Sequence, residues 1–216
     1  MSYFISYIED LRDHARIGVF IKRKILIAIT TCVDGYKPSH SQGESQMNWD
    51  EFNTAAAELA EAGEKLFDRT GVVLVGTLRK DGSPRISPVE PLIAGGQLYL
   101  GIMPESFKAQ DLLRDGRCTI HSLISDKHAP EGEFKLHGLA VNVQDPAERK
   151  LYCDELLKKI GWSPEGMPFH LFSIDILSAG VFSHDGGAAR LVKRWRAGDP
   201  VKAFRQGIDG AMKPAA

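Results

Sequence analysis

Cysteine is scarce in this chain, and the three present, Cys32, Cys118 and Cys153, are odd in number and show no CxxC spacing. That excludes a disulfide framework as the basis of the fold and a thiolate zinc site as its centre, and it points to a reducing cytoplasm. Net charge is also lacking: 27 basic residues face 28 acidic ones, for a formal charge of -1. No general attraction to nucleic acid or to anionic lipid follows from such a balance. Long apolar runs are missing too. Ile25 to Ile29 follows Lys22, Arg23 and Lys24, but it is far too short to cross a bilayer and lies too deep in the chain for a secretion signal. The seven histidines show neither HxxxH nor HExxH spacing and have no cluster of carboxylates beside them, so no dedicated metal site is expected.

What is present is ordinary globular composition, 43% hydrophobic and 25% charged, over 216 residues, enough for one sizeable domain with an appendage. Residues 1–46 differ from the rest. An isoleucine-rich, partly basic stretch runs into the polar segment Lys37 to Gln46, which looks like a linker. These residues are expected to be an N-terminal extension or a non-native upstream segment, with Met47 as a candidate start and 47–216 as the domain.

Within 47–216, Trp49 to Asp68 has apolar residues at helical spacing and predicts one helix. The period then changes. Val72 to Leu78 is a β-branched run, Asp81-Gly82 is a hairpin turn, Pro84 to Ala94 is a second strand, and Gly95-Gly96 turns into Gln97 to Gly101. Pro84, Pro88 and Pro91 cannot donate ladder bonds, so the middle strand belongs at an edge or a bulge, where ligands approach. A short helix over Glu105 to Arg114 follows, then strands over Arg117 to Leu123 and Phe134 to Val143, separated by a polar loop. A helix over Ala147 to Ile160 and strands over Phe169 to Phe182 and Ala189 to Trp195, joined by a turn at His184 to Gly187, complete the pattern. The sum is a mainly β domain with flanking helices: an antiparallel closed or split β-barrel of six or seven strands with three helices.

Arg85 and Lys108 are the side chains most suggestive of chemistry. A helix N-terminus offers unpaired N–H groups and partial positive charge, and a guanidinium and an ammonium beside it would complement a phosphate. Ser87 and Ser106 can add hydroxyl donors. Taken singly, each cation also fits a solvated surface residue.

Four fragments in order, Thr77 to Glu90 (TLRKDGSPRISPVE), Gly96 to Leu100, Ser106 to Leu112 (SFKAQDL) and Asp115 to His121 (DGRCTIH), give the chain its resemblance to a known family. It resembles the pyridoxamine 5′-phosphate oxidase-like proteins, with their FMN-binding split barrel. The resemblance covers about Phe52 to Trp195. It implies a homodimer that holds FMN, or the related deazaflavin F420, at the subunit interface and performs redox chemistry on a small-molecule substrate. It further implies cofactor contacts from Arg85, Ile86, Ser87, Val89, Gly101, Ser106, Lys108 and His121, with no side chain assigned as catalytic. Many relatives carry arginine where this chain has Phe107. The Arg-x-His-Asp-Arg stretch of the vitamin B6 oxidases is not matched by Ala189 to Gly198, so the resemblance does not extend to that reaction.

Other residues admit competing uses. His121 suits either a flavin carbonyl contact or a satisfied barrel histidine. Cys118 suits a small core residue. Lys193-Arg-Trp-Arg196 suits a sheet edge or dimer contact better than a nucleic-acid patch, and Trp195 could cover a flavin face. A flavin carrier or sensor without turnover, and a haem protein with His121 or His137 on the iron, are the alternatives of another class.

Overall fold

The computed structural model describes residues 46–184, 190–207 and 210–215. The expectations for residues 1–45 and most of the turn at 184–187 lie outside them.

Asn48 starts the first helix with a capping box, its side chain accepting from Glu51 N while the Glu51 carboxylate accepts from Asn48 N, both at 2.9 Å. The single helix expected over Trp49 to Asp68 is in fact two, α1 (Trp49–Ala55) and α2 (Ala57–Thr70), broken at Ala56 with φ -150° and ψ 54°. No glycine or proline marks the break. Ala56 is buried, and the kink lets Trp49 and Phe52 face the same core as Leu59, Ala60 and Phe67. Packing overrides propensity there. Gly71, at φ 65°, closes α2 in the left-handed conformation.

The strands are β1 (Val73–Leu78), β2 (Pro84–Val89), β3 (Pro91–Ala94) and β4 (Gln97–Ile102). After α3 (Phe107–Arg114) come β5 (Arg117–Ser122) and β6 (Glu133–Asn142). After α4 (Pro146–Ile160) come β7 (His170–His184), β8 (Arg190–Arg196), β9 (Lys202–Gln206) and β10 (Met212–Pro214). Ten strands and four helices among the described residues exceed the six or seven and three expected. The strand expected over Pro84 to Ala94 splits at Glu90, and β9 and β10 follow the last run recognised in the sequence. The prolines act as anticipated. Among the described residues β2 pairs only with β1 and stands at an edge, while β3 leaves to pair with β4.

All pairings are antiparallel, in the order β10-β9-β8-β7-β6-β5-β1-β2. β7 is the branch point. One side follows β6 from Phe172 to Phe182, while the other serves β4 through His170 to Ser173 and β8 through Ser178 to His184. The sheet is therefore open rather than closed on itself. Phe52, Phe134, Phe172 and Ile176 fill one core, and a smaller one lies under α4 around Leu92, Tyr99, Tyr152 and Leu171. At Gly63 on α2 an added Cβ would meet the Phe134 ring at 2.8 Å, so helix and sheet touch without room for a side chain. Trp195 is 3% exposed and packs on Phe52 with ring centroids 5.0 Å apart, which makes it a core residue rather than a cover for a cofactor. Cys118 is likewise buried, and burial pushes its thiol up to about 12. No helix among the described residues is long and apolar enough to cross a membrane.

Candidate functional site

The start of α3 sits between two cavities. Ser106 caps the helix, its hydroxyl oxygen accepting from Ala109 N at 3.3 Å, and the cap fixes where Phe107 and Lys108 emerge. Ser106 thus takes the Ala109 and Gln110 amides, and those of Phe107 and Lys108 ahead of them are left for a ligand or water.

Lys108 faces a cavity of 430 Å³ with Val89 from β2, Gly101 and Ile102 from β4, and Tyr152, Trp162 and Phe169 from α4 and the segment after it. Among the described residues, Glu90 is the one charged side chain in that lining besides Lys108. Tyr152 is buried, stands edge-on to Tyr99 and stacks on Phe169 at 5.8 Å. Its hydroxyl lies directly over the backbone of Gly101, in the space a Cβ would need, so glycine is the residue that this approach permits. Burial, and then the nearby Cys153 and Glu90, push the Tyr152 phenol up to about 12, so it remains a neutral hydrogen-bond donor at physiological pH. Arg149 braces the far wall, with its guanidinium 4.2 Å from the Phe169 ring centroid and donating to the Val143 and Phe169 carbonyls.

Arg85 faces a second cavity, of 560 Å³, with Arg79, Lys80, Phe107, Gln110, Asp111 and Arg114. The expected pair of cations therefore does not converge within this chain: Arg85 and Lys108 line different cavities. The reason is Asp111. Its buried carboxylate accepts from Arg85 Nε at 2.7 Å, from Thr77 Oγ1 at 3.0 Å and from Arg114 at 3.0 Å, tying β1, β2 and α3 together. Burial pushes the Asp111 carboxyl up, but the hydrogen bonds from Arg85, Arg114 and Thr77 outweigh it and hold it below its ordinary value. Only Nε of Arg85 is engaged in this way, so its terminal N–H groups can still meet an anion. Phe107 is 67% exposed, and its ring lies 5.1 Å from the Arg85 guanidinium carbon.

The remaining expected residues spread out. Ile86 is 69% exposed on the outer side of β2, opposite Gly76, and Ser87 lies opposite Val75. Val89 and Gly101 do share the Lys108 cavity, and Ser106 acts through the helix cap. His121 sits on β5 with Nε2 3.0 Å from Glu133 Oε2 and Nδ1 2.5 Å from the Ser122 carbonyl, so both ring nitrogens are occupied and it lines none of the cavities described. His137 is 3.2 Å from Thr119 Oγ1. No cluster of three or more metal-ligating side chains occurs among the described residues.

Sequence reasoning missed Asp111, Tyr152, Trp162 and Phe169. Asp111 had a usable signal, since its i, i+3 spacing to Arg114 marks a charge pair on one helix face. The three aromatics had none, because only the packing of α4 and its following segment over β4 brings them to Lys108.

Residues 59–179 match the sequence model of the family described as pyridoxamine 5′-phosphate oxidase. No curated protein matches the chain. Among solved structures, it is similar to ChuZ from Campylobacter jejuni, 15% identical with a TM-score of 0.51, over 69% of this chain and 70% of that one. It is also similar to a Clostridium acetobutylicum protein related to general stress protein 26 of B. subtilis, of the pyridoxinephosphate oxidase family (15% identical, TM-score 0.49, 65% of this chain and 94% of that one). A heme binding protein from Mycobacterium smegmatis is 17% identical, with a TM-score of 0.47 over 62% of this chain and 57% of that one. At these identities likeness speaks to fold alone.

Proposed function

The chain belongs to the pyridoxamine 5′-phosphate oxidase family, and on that premise we propose that it is a flavin-dependent oxidoreductase of the cytoplasm that binds FMN in the Lys108 cavity and acts on a small molecule. One observation carries this reading: an ammonium at a helix start opens onto a 430 Å³ cavity walled by Tyr152, Trp162 and Phe169. A phosphate-bearing aromatic group needs that donor set, charge and amides at one end and aromatic faces at the other. Lys108 and the first α3 amides would hold the phosphate, Ser106 would keep those amides in place, and Tyr152 could donate to a ring carbonyl. The bound flavin would supply electron transfer, the chemistry that no side chain here provides. Glu90, beside Tyr152, is the charged group available to orient a substrate. Exposed Ile86 and Phe107 beside Arg85 support a homodimer in which a second copy covers them.

The test is an absorption spectrum of the purified protein with mass spectrometry of the released small molecule, which separates FMN, deazaflavin and haem. Titration of FMN into the Lys108→Ala variant should then show affinity at least about tenfold weaker, the loss of one charge-assisted phosphate contact. Loss on Arg85→Ala with none on Lys108→Ala would move the phosphate to the other cavity. A protein that binds no flavin refutes the reading, and one that binds it but accepts no electrons from NADH, NADPH or reduced deazaflavin is a carrier.

A further inference from the structure

The outer face of the sheet carries cations for which cofactor binding gives no use. Strand register sets Lys135, Gly180, Arg194 and Lys202 in one row across β6, β7, β8 and β9. Thr119, His137, Ser178 and Arg196 form the next row across β5 to β8. Residues two apart on a strand share a face, roughly 7 Å from one another, so both rows point the same way. All eight line one open cavity of 470 Å³, and among the described residues Asp199 is the one carboxylate in its lining.

Packing accounts for Arg194 only in part, through its guanidinium carbon 6.0 Å from the Phe204 ring centroid. Arg194 stands directly opposite Lys202, a like-charge pair that weakens a sheet. Among the described residues Arg194, Arg196 and Lys202 form no ion pair, and Lys135 shares Glu133 with His121 at the rim. Burial, and after it the charges of Arg117 and Arg196, hold the His137 imidazole below its ordinary range. At the centre of the floor, Gly180 leaves an opening, since a Cβ there would meet only the Lys193 carbonyl, at 3.5 Å.

We propose that this groove binds a small molecule carrying two or more phosphate or carboxylate groups, held between Arg194, Arg196, Lys202 and Lys135. An anion removes the repulsion that the sheet otherwise bears, and the volume suits a metabolite. A nucleic-acid track would need an extended basic stripe, whereas the cations lining this groove are four, Lys135, Arg194, Arg196 and Lys202, in a chain with formal charge -1. The site is separate from the proposed flavin site, because the two cavities share no lining residue.

Calorimetric titration of the full chain with inorganic pyrophosphate, and with citrate in a parallel arm to tell phosphate from carboxylate preference, tests this. Binding at one site per chain is expected, unchanged by saturating FMN and weakening as salt rises. Arg194→Gln combined with Lys202→Gln should weaken it at least about tenfold. Gly180→Leu, which fills the floor and keeps every charge, should do the same. In low salt without the anion, the double variant should melt no lower than the parent, because it relieves repulsion. The proposal is overturned if neither probe binds, if FMN displaces the anion, or if both variants bind as the parent does. It is also overturned if the double variant melts lower, or if a single-stranded oligonucleotide binds more tightly with length at these same residues.

Discussion

Replacing Asp111 by alanine removes the acceptor shared by Arg85, Arg114 and Thr77. Breaking a fully buried ion pair by deleting one partner costs about 3–5 kcal/mol. Here the stranded guanidiniums belong to side chains 22% and 38% exposed, so both regain water, and the expected loss falls to roughly 2–3 kcal/mol. For a chain of this size that is a fall in Tm of roughly 4–12 °C. Urea unfolding of parent, Asp111→Ala and Asp111→Asn, followed by tryptophan fluorescence, measures it. The pH dependence gives a second check. The folded carboxyl lies below its ordinary value of 3.8, so its stabilisation is fully present above that value and is lost as pH falls through the lower, folded one. The stability gap between parent and Asp111→Asn should stay constant from neutrality to about pH 5 and shrink only in more acid solution. A gap under about 0.5 kcal/mol for Asp111→Ala, or one that is unaffected by acid, would refute the idea that this carboxylate ties α3 to the sheet.

Gly101→Ala should cost about 1–3 kcal/mol by driving Tyr152 off its seat, with Tyr152→Phe restoring part of the loss; thermal unfolding of the three variants would show it. Trp195→Phe should lower Tm without altering the spectrum of bound flavin, because the indole packs on Phe52 inside the core; a shifted flavin spectrum would contradict that placement. Cys118 should resist iodoacetamide at pH 8 in native protein and react after unfolding, as mapped by peptide mass spectrometry, since burial pushes its thiol up to about 12.

Much of the fold could be read from the chain because its turns are chemically explicit. Asp81-Gly82 and Gly95-Gly96, all three glycines at positive φ, set two hairpins, and the prolines of β2 set an edge. The break at Ala56 could not be read, since only burial against the sheet distinguishes that alanine from its neighbours. At the site, Lys108 is recognisable from local pattern and Gly101 through the family resemblance, but the aromatic wall and the divergence of Arg85 depend on contacts between segments distant in sequence, which leave no periodic trace. Lys193-Arg-Trp-Arg196 suits a sheet edge or dimer contact from its sequence, and strand register adds the two faces: Arg194 and Arg196 share the groove side while Trp195 points to the core.

The branching of β7 has a consequence for order of assembly. Gly101 pairs with Leu171, and Tyr152 rests on Gly101, so the floor and lid of the Lys108 cavity meet only after most of the chain has left the ribosome. β1, β2 and their hairpin can form early from local contacts, whereas β4 must wait with an open edge for a partner made much later. A nascent chain stalled before Leu171 would therefore expose an unpaired strand and hold no cavity, and the pause between β4 and β7 is the interval in which this protein is most open to aggregation.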